Sequence, residues 1–193
     1  MTIKNRSELI FIYDVKDNNP NGDPLNENKP RMDEETSENY VTDVRLKRTI
    51  RDYIALKHSQ QSPNKIFMLS ERKEDGTLET LKDLQAKYSD IEEVKKSCID
   101  IRLFGGTLAI AGKKDSKEKG DEASSNAITG PVQFRIGRSM HKVVAVEDQI
   151  TRTVPNEANR KQGTFGYDQR LFYSLIKFYG VINENAAQKT NLT

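Results

Sequence analysis

A short apolar run at residues 9–13 (LIFIY) is followed at once by a polar stretch at residues 14–24 (DVKDNNPNGDP). Aromatic and β-branched residues in so short a run predict a buried strand, and the Asn, Pro, Gly and Asp residues behind it are typical of turns. The first element is therefore expected to be a rigid core strand that carries a polar loop at its end.

Residues 41–57 (VTDVRLKRTIRDYIALK) predict a helix that begins at Thr42, whose hydroxyl can cap free backbone amides. One face is expected to be apolar, and a neighbouring face basic. The apolar positions are Leu46, Ile50, Tyr53 and Ile54, and the basic positions are Lys47, Arg48 and Arg51. Like charges at this spacing repel by roughly a few tenths of a kcal/mol per pair, so a nearby anion would stabilise the helix. A solvated basic face is the alternative, and the pattern leaves both open.

Composition narrows the class of protein. The 193 residues suffice for one domain, and an apolar fraction of 35% with a mean hydropathy of −0.77 predicts exposed insertions. No segment is typical of a membrane span or a signal peptide, so a cytoplasmic protein without membrane contact is expected. The single Cys98 cannot form an internal disulfide and is expected to pack in the core. A net charge of +2 does not by itself indicate nucleic-acid binding.

The order of predicted elements indicates an α+β fold. Residues 59–88 are typical of an insertion. Residues 89–104 are typical of a helix that begins with a capping box of Ser89 and Glu92 and is ended by two glycines. Residues 112–126 are typical of a mobile segment. Alternation of apolar and polar residues at 130–136 predicts a strand with Val132, Phe134 and Ile136 facing inward. Residues 147–166 are typical of a hairpin-like excursion, and residues 170–183 suit either a strand or a short helix. This order matches the first two thirds of a ferredoxin-like βαββαβ domain, the architecture of the RNA-recognition motif.

Metal and catalytic motifs are weak. Asp17, Asn19, Asn21 and Gly22 fit the first half of an EF-hand loop, but Asn28 stands where the bidentate Glu is needed. A metal-dependent nuclease could use Asp14, Asp17 and Asp23, although Asp before Pro is also ordinary turn chemistry. The histidines His58 and His141 have no ligand at zinc spacing, and neither a nucleophile triad nor a Walker loop is present. No metal or cofactor is expected.

Basic residues recur on separate predicted elements, which favours nucleic-acid binding over a metal site. The helix and the strand at residues 130–136 are expected to frame one groove for a phosphate backbone. A solvated surface of balanced charge remains the alternative. The recurring positions are Lys47, Arg48, Arg51, Gln133, Arg135, Arg138, His141, Lys142, Arg152, Arg160 and Lys161.

The first part of the chain resembles the backbone subunit of type I CRISPR Cascade complexes, the Cas7 family, and most of all its type I-B branch. The resemblance is carried by residues 9–23, residues 29–31 (KPR) and residues 41–48 (VTDVRLKR). Residues 100–105 (DIRLFG) and residues 133–143 are similar to later motifs of the same family. The resemblance covers essentially the whole chain in the right order.

The resemblance implies an RNA-recognition-motif palm formed by residues 1–193, with a finger or web insertion at residues 59–126 and a thumb at residues 147–166. Members of the family usually continue with a helix and a strand that close the palm, so an incomplete palm is expected here. It implies a subunit of a ribonucleoprotein complex in antiviral defence, which polymerises along CRISPR RNA beside other Cascade subunits and presents the guide to target DNA. Its expected RNA-binding residues are Asn19, Asn21, Arg45, Lys47, Arg48, Arg51, Gln133, Arg135, Arg138, Ser139, Met140, His141, Thr151 and Arg152.

Type I members of the family are non-catalytic, so no enzyme activity is expected. The alternative is a metal-dependent ribonuclease of the type III kind, whose acidic residue follows the first strand. Asp23 or Asp33 would take that role in this chain.

Overall fold

The computed structural model describes residues 3–58, 60–108, 126–151 and 165–193. They belong to two compact units. Residues 3–9, 46–58, 60–108, 126–133 and 180–193 form the helical unit, and residues 10–45, 134–151 and 165–179 form the sheet unit. In chain order the described elements are β1 (Ser7–Asn18), β2 (Gly22–Asp23), β3 (Lys29–Pro30), β4 (Met32–Asp33), β5 (Glu38–Val41), α1 (Asp43–His58), α2 (Leu81–Ala86), α3 (Ile91–Ser97), α4 (Ile99–Phe104), β6 (Gly105–Leu108), β7 (Asn126–Thr129), β8 (Val132–Phe134), β9 (Gly137–Ser139), β10 (Ala145–Thr151), β11 (Phe165–Ile182) and α5 (Glu184–Thr190).

The core of the helical unit lies around α3 and α4. Its buried cluster consists of Phe67, Leu84, Val94, Cys98, Ile101 and Leu108. Burial of Cys98 confirms its predicted packing role. Gly105 ends α4 with a φ of 76°, and an added Cβ there would lie 2.0 Å from the carbonyl oxygen of Ile128. Only glycine fits this conformation and this close approach, so α4 passes directly into the β6–β7 hairpin.

Three local predictions for the helices are wrong in detail. The helix predicted at residues 89–104 is broken at Cys98 into α3 and α4, because Cys98 adopts an extended backbone between them. The N-cap of α3 is Asp90 instead of the predicted Ser89, and Asp90 accepts a hydrogen bond from the Glu93 amide. The Ser89 amide and hydroxyl donate to the side chain of Glu93 instead of Glu92. On α1, Tyr53 is 60% exposed although Leu46 is buried, so the inward face is narrower than the pattern predicted.

The main sheet runs in the order β4–β5–β9–β11–β1, and β8 and β10 also pair with β11. The pairs β4–β5, β5–β9, β9–β11 and β10–β11 are antiparallel. Alternate residues of β11 are buried at Ser174, Ile176 and Phe178, which places the residues between them on the opposite face. Phe178 needs Gly137 opposite it, since an added Cβ on Gly137 would lie 2.4 Å from the Phe178 ring.

The sheet confirms some strand predictions and corrects others. The segment predicted at residues 170–183 is a strand rather than a short helix as far as Ile182, and the β10–β11 pairing confirms a hairpin at the predicted excursion. The strand predicted at residues 130–136 is limited to β8, and Ile136 is 52% exposed. The first strand is not buried: Ile10 is 64% and Ile12 48% exposed, because β1 stands last in the sheet order with β11 as its neighbour.

The structure shows a mixed α/β fold with an antiparallel sheet. Most of the polar segment predicted at residues 112–126 lies outside the described residues, and so does the part of the predicted thumb between Thr151 and residue 165. Within the described ranges, no helix has both the length and the apolar character needed to cross a membrane.

Candidate nucleic-acid interface

In the helical unit, Lys47 and Arg51 lie one turn apart on α1 and both approach the ring of Phe104. The Lys47 Nζ is 5.8 Å and the Arg51 Cζ 5.1 Å from the ring centroid. Cations over the face of an aromatic ring are attracted to its quadrupole. The ring of Phe104 thus offsets part of the repulsion between these cations, for which the sequence had indicated a nearby anion.

Arg51 also forms an ion pair with Asp100. Its Nε is 3.1 Å from Oδ2 of Asp100, whose side chain is fully buried. The same carboxylate accepts hydrogen bonds from the backbone amides of Phe67, at 2.8 Å, and Met68, at 3.0 Å. A buried carboxylate is tolerated only when it is paired and hydrogen-bonded in this way. Arg51 therefore has a structural role, and its predicted contact with RNA stays a prediction.

Lys47 and Arg48 of α1 differ in their surroundings. Lys47 donates to the Gln133 side-chain oxygen at 3.0 Å, and the Gln133 amide nitrogen donates to the Gly130 carbonyl at 2.9 Å. Arg48 pairs with Asp52 at 2.9 Å in an exposed i,i+4 contact. With its side chain 52% exposed, Arg48 presents more of its guanidinium to solvent than Arg51, whose side chain is 14% exposed.

In the sheet unit, the polar loop after β1 is held by its own amide side chains. Asn21 Oδ1 accepts hydrogen bonds from the amide of Thr42 at 2.9 Å and from its hydroxyl at 3.0 Å. The Thr42 hydroxyl is therefore engaged by the loop, and α1 begins at Asp43. Asn19 Nδ2 donates to the carbonyl oxygen of Asn28 at 2.6 Å. These contacts give Asn19 and Asn21 a role in shaping the loop, and their predicted RNA contacts stay predictions.

Two of the acidic candidates for a nuclease, Asp23 and Asp33, each contact an arginine in the sheet unit. Asp23 Oδ1 lies 3.3 Å from Arg31 Nη2, and Asp33 Oδ2 lies 3.1 Å from Arg138 Nη1. The hydrogen bond from Arg138 and those from backbone amides hold the pKa of Asp33 below its usual range. No group of three or more His, Cys, Asp or Glu residues that could hold a metal ion occurs in the part of the chain that the structure describes.

A second basic cluster lies on the open side of the sheet. In the strand register, Lys177 of β11 faces Arg138 of β9, which faces Tyr40 of β5. Tyr173 and Tyr179 occupy the same side of β11 as Lys177, since the residues at even positions between them are buried on the other side. We call this surface the aromatic-basic face. It consists of Tyr40, Arg135, Arg138, His141, Tyr173, Lys177 and Tyr179.

Two of its aromatic rings are backed by a neighbouring planar group. The His141 ring stacks on Tyr173 with centroids 5.6 Å apart and planes inclined by 8°. The Arg135 guanidinium lies over the Tyr179 ring, with Cζ 5.5 Å from the centroid. His141 Nε2 accepts a hydrogen bond from the Leu175 amide at 3.2 Å, so its proton is on Nδ1, which donates to the Lys142 carbonyl at 2.8 Å. The imidazole is fixed at both nitrogens.

The remaining predicted residues divide by exposure. Ser139 is buried; its Oγ accepts from the Asn39 amide and donates to the His141 carbonyl, so it shapes the turn after β9. Met140 is 53% exposed, and Arg45 is exposed as well. Burial raises the pKa of Tyr13, and the positive charge of Arg45 partly offsets that rise. Thr151 lies at the end of β10, and Arg152 lies outside the described residues.

Four residues of the aromatic-basic face were not predicted from the sequence: Tyr40, Tyr173, Lys177 and Tyr179. The signal for three of them was present: at residues 173–179, Tyr and Lys alternate with Ser, Ile and Phe. That period of two indicates a strand with one open face, but the same run also suited a short helix.

A family model described as "CRISPR-associated protein Cas7" matches residues 5–193. The chain belongs to the Cas7 family. A curated relative from Haloferax volcanii, also described as CRISPR-associated protein Cas7, is 34% identical over 215 residues, which cover 100% of this chain and 61% of that protein. The chain thus spans about three fifths of the length of this Cas7 relative.

Two solved structures resemble the fold of this Cas7 chain. One is described as a CRISPR RNA-guided surveillance complex, pre-nicking, with a TM-score of 0.57 at 14% identity over 97% of this chain and 67% of the other. The second, a CRISPR RNA-guided surveillance complex, has a TM-score of 0.55 at 15% identity over 97% of this chain and 53% of the other. At these identities the likeness shows a shared mixed α/β fold.

Proposed function

We propose that this chain is a non-catalytic CRISPR RNA-binding backbone subunit of a type I, I-B-like, Cascade surveillance complex in the cytoplasm. Copies of it polymerise along the guide spacer, beside other Cascade subunits, and present the guide for pairing with target DNA in antiviral defence. The observation that carries the proposal is the match of the Cas7 family to residues 5–193. The two solved structures of similar fold are described as RNA-guided surveillance complexes, which supports the same function.

The proposed architecture is an RNA-recognition-motif palm with two insertions. The antiparallel sheet of β1, β11, β9 and β5 supports the palm. The β10–β11 hairpin supports a thumb at residues 147–166, because its paired strands lead into and out of that segment. The cluster around α3 and α4 supports a finger or web at residues 59–126, because these residues have a core of their own.

The surroundings of each basic residue suggest which of them bind RNA. We propose that Arg48, Arg135, Arg138 and Lys177 contact phosphates, because their side chains are exposed. Such contacts hold the strand without reading its sequence, and base pairing to the guide supplies specificity. Arg51 and Ser139 support the site through their internal contacts.

The first experiment asks whether the chain purifies with small RNA of uniform length. The double variant Lys47→Ala with Arg48→Ala is then expected to weaken binding equally for all RNA sequences, and to reduce the salt slope by about one for each phosphate that the variant no longer binds. The control is Lys82→Ala with Lys96→Ala, which removes the same charge from exposed positions on α2 and α3. Equal effects of the two double variants would contradict the placement on α1.

The absence of catalysis is tested separately, with matched RNA and Mg²⁺. We expect the RNA to remain intact, because Asp23 and Asp33 are both paired with arginines, which suits a structural carboxylate. Periodic cuts that disappear in Asp23→Ala or Asp33→Ala would establish the ribonuclease alternative and overturn the scaffold.

A further inference from the structure

We infer that the aromatic-basic face takes single-stranded RNA by stacking unpaired bases on Tyr173 and Tyr179. This inference rests on the proposed function and names how the strand is held. Base stacking on aromatic side chains tolerates any sequence because every base has a flat π face. A face of this kind suits a scaffold that must accept any guide.

The two tyrosines are placed to receive different bases. They lie six residues apart on one side of β11, so their Cα atoms are about 20 Å apart at roughly 3.4 Å per residue. Stacked neighbouring bases of one strand are separated by only about 3.4 Å along the helix axis. The two rings therefore bind bases that are not adjacent, and the nucleotides between them pass beside Lys177.

Both rings are held in place before any ligand arrives. Tyr173 is 38% exposed and has the His141 ring behind it, which two hydrogen bonds fix. Tyr179 has the guanidinium of Arg135 over it, and arginine planes also stack on bases. Groups that are already ordered lose less conformational entropy on binding, which favours a stacking site over a mobile aromatic side chain.

The face suits a single strand: its cations can hold phosphates, and its rings need bases that are not covered by stacked neighbours. Lys177 of β11 and Arg138 of β9 are partners on adjacent strands, and they place two cations beside the rings. Arg138 is shared with Asp33 and Glu38, so the ammonium of Lys177 is the better placed of the two for a phosphate. In a duplex the base faces are covered by their stacked neighbours, so tyrosine rings can stack only on splayed bases.

The test uses the full chain and two fluorescent probes, a 12-nucleotide uridine RNA and an abasic strand of the same length and charge. We expect the abasic strand to bind at least about tenfold more weakly than the uridine strand, which matches the loss of one or two stacked bases. Tyr173→Ala and Tyr179→Ala should each weaken the uridine strand by about fivefold or more and leave the abasic strand unchanged. Tyr173→Phe and Tyr179→Phe, which keep the ring, should bind as the parent does.

Phe172→Ala is the matched control, because Phe172 is a 61% exposed aromatic residue adjacent to Tyr173 that is not part of the aromatic-basic face. Equal affinity for the two strands, with the alanine variants unchanged, would refute stacking and leave the proposed function standing. Failure of both strands to bind would refute the proposed function together with this inference. Phe variants that bind as weakly as the alanine variants would also overturn stacking, since they retain the ring.

Discussion

Removal of the Asp100 carboxylate by Asp100→Ala is expected to destabilise the helical unit by about 3 kcal/mol or more, the low end of the range for breaking a buried ion pair. Three groups lose their acceptor at once: Arg51 Nε and the amides of Phe67 and Met68. The low end applies because the side chain of Arg51 is 14% exposed and can be partly hydrated.

A matched control stands on the same helix as Arg51. Asp52→Ala breaks the exposed pair with Arg48 and is expected to cost only about 0.3–0.5 kcal/mol, the usual worth of an i,i+4 pair. Thermal unfolding followed by circular dichroism measures both. For a chain of this size, 1 kcal/mol corresponds to about 2–4 °C, so Asp100→Ala should lower Tm by about 6–12 °C and Asp52→Ala by about 1–2 °C. If the two substitutions cost the same, Asp100 does not organise the helical unit and the assignment of Arg51 is refuted.

Three further outcomes test the packing and the electrostatics. Gly137→Ala should destabilise the sheet unit by about 1–3 kcal/mol in chemical unfolding, because the new methyl group overlaps the Phe178 ring; an unchanged midpoint would contradict this packing. Burial raises the pKa of Cys98 to about 11, so a thiol reagent at pH 8 should modify it far more slowly in the folded chain than in denaturant. The pKa of Asp33 is lowered by its hydrogen bonds, so its stabilising contribution is present above about pH 4 and lost as pH falls through the lower folded-state value. The stability difference between the parent and Asp33→Asn should shrink in acid, and a constant difference would rule this out.

Local chemistry allowed several elements to be predicted from the sequence. Three features depend mainly on residues that are close in the sequence, so the sequence alone could indicate them. They are the glycine that ends α4, the packing of Cys98 and the hairpin of β10 and β11. The exposure of β1 depends instead on how many strands lie beside it in space. An apolar run such as residues 9–13 looks the same in a central strand and in one at the end of the sheet, so burial could not be predicted from it.

The candidate site divides in the same way. Residues such as Arg135 and Arg138 could be found because charge itself was the signal. The roles of Arg51 and Arg48 could not be separated, since their partners Asp100 and Asp52 stand 49 and 4 positions away and only the fold shows which carboxylate is buried. Tyr173 and Tyr179 were missed because strand and helix periods were both compatible with residues 173–179.

This difference between Arg48 and Arg51 affects how any RNA-binding measurement on α1 is interpreted. Substitution of Arg51 leaves Asp100 as a buried charge without its partner, so the folded fraction falls and the apparent affinity falls with it, whether or not Arg51 contacts RNA. Substitution of Arg48 disturbs only an exposed pair, so a loss of affinity there reports on the bound strand itself. A phosphate contact at α1 is therefore best established through Arg48, with the salt slope as evidence that the substitution removed charge rather than stability.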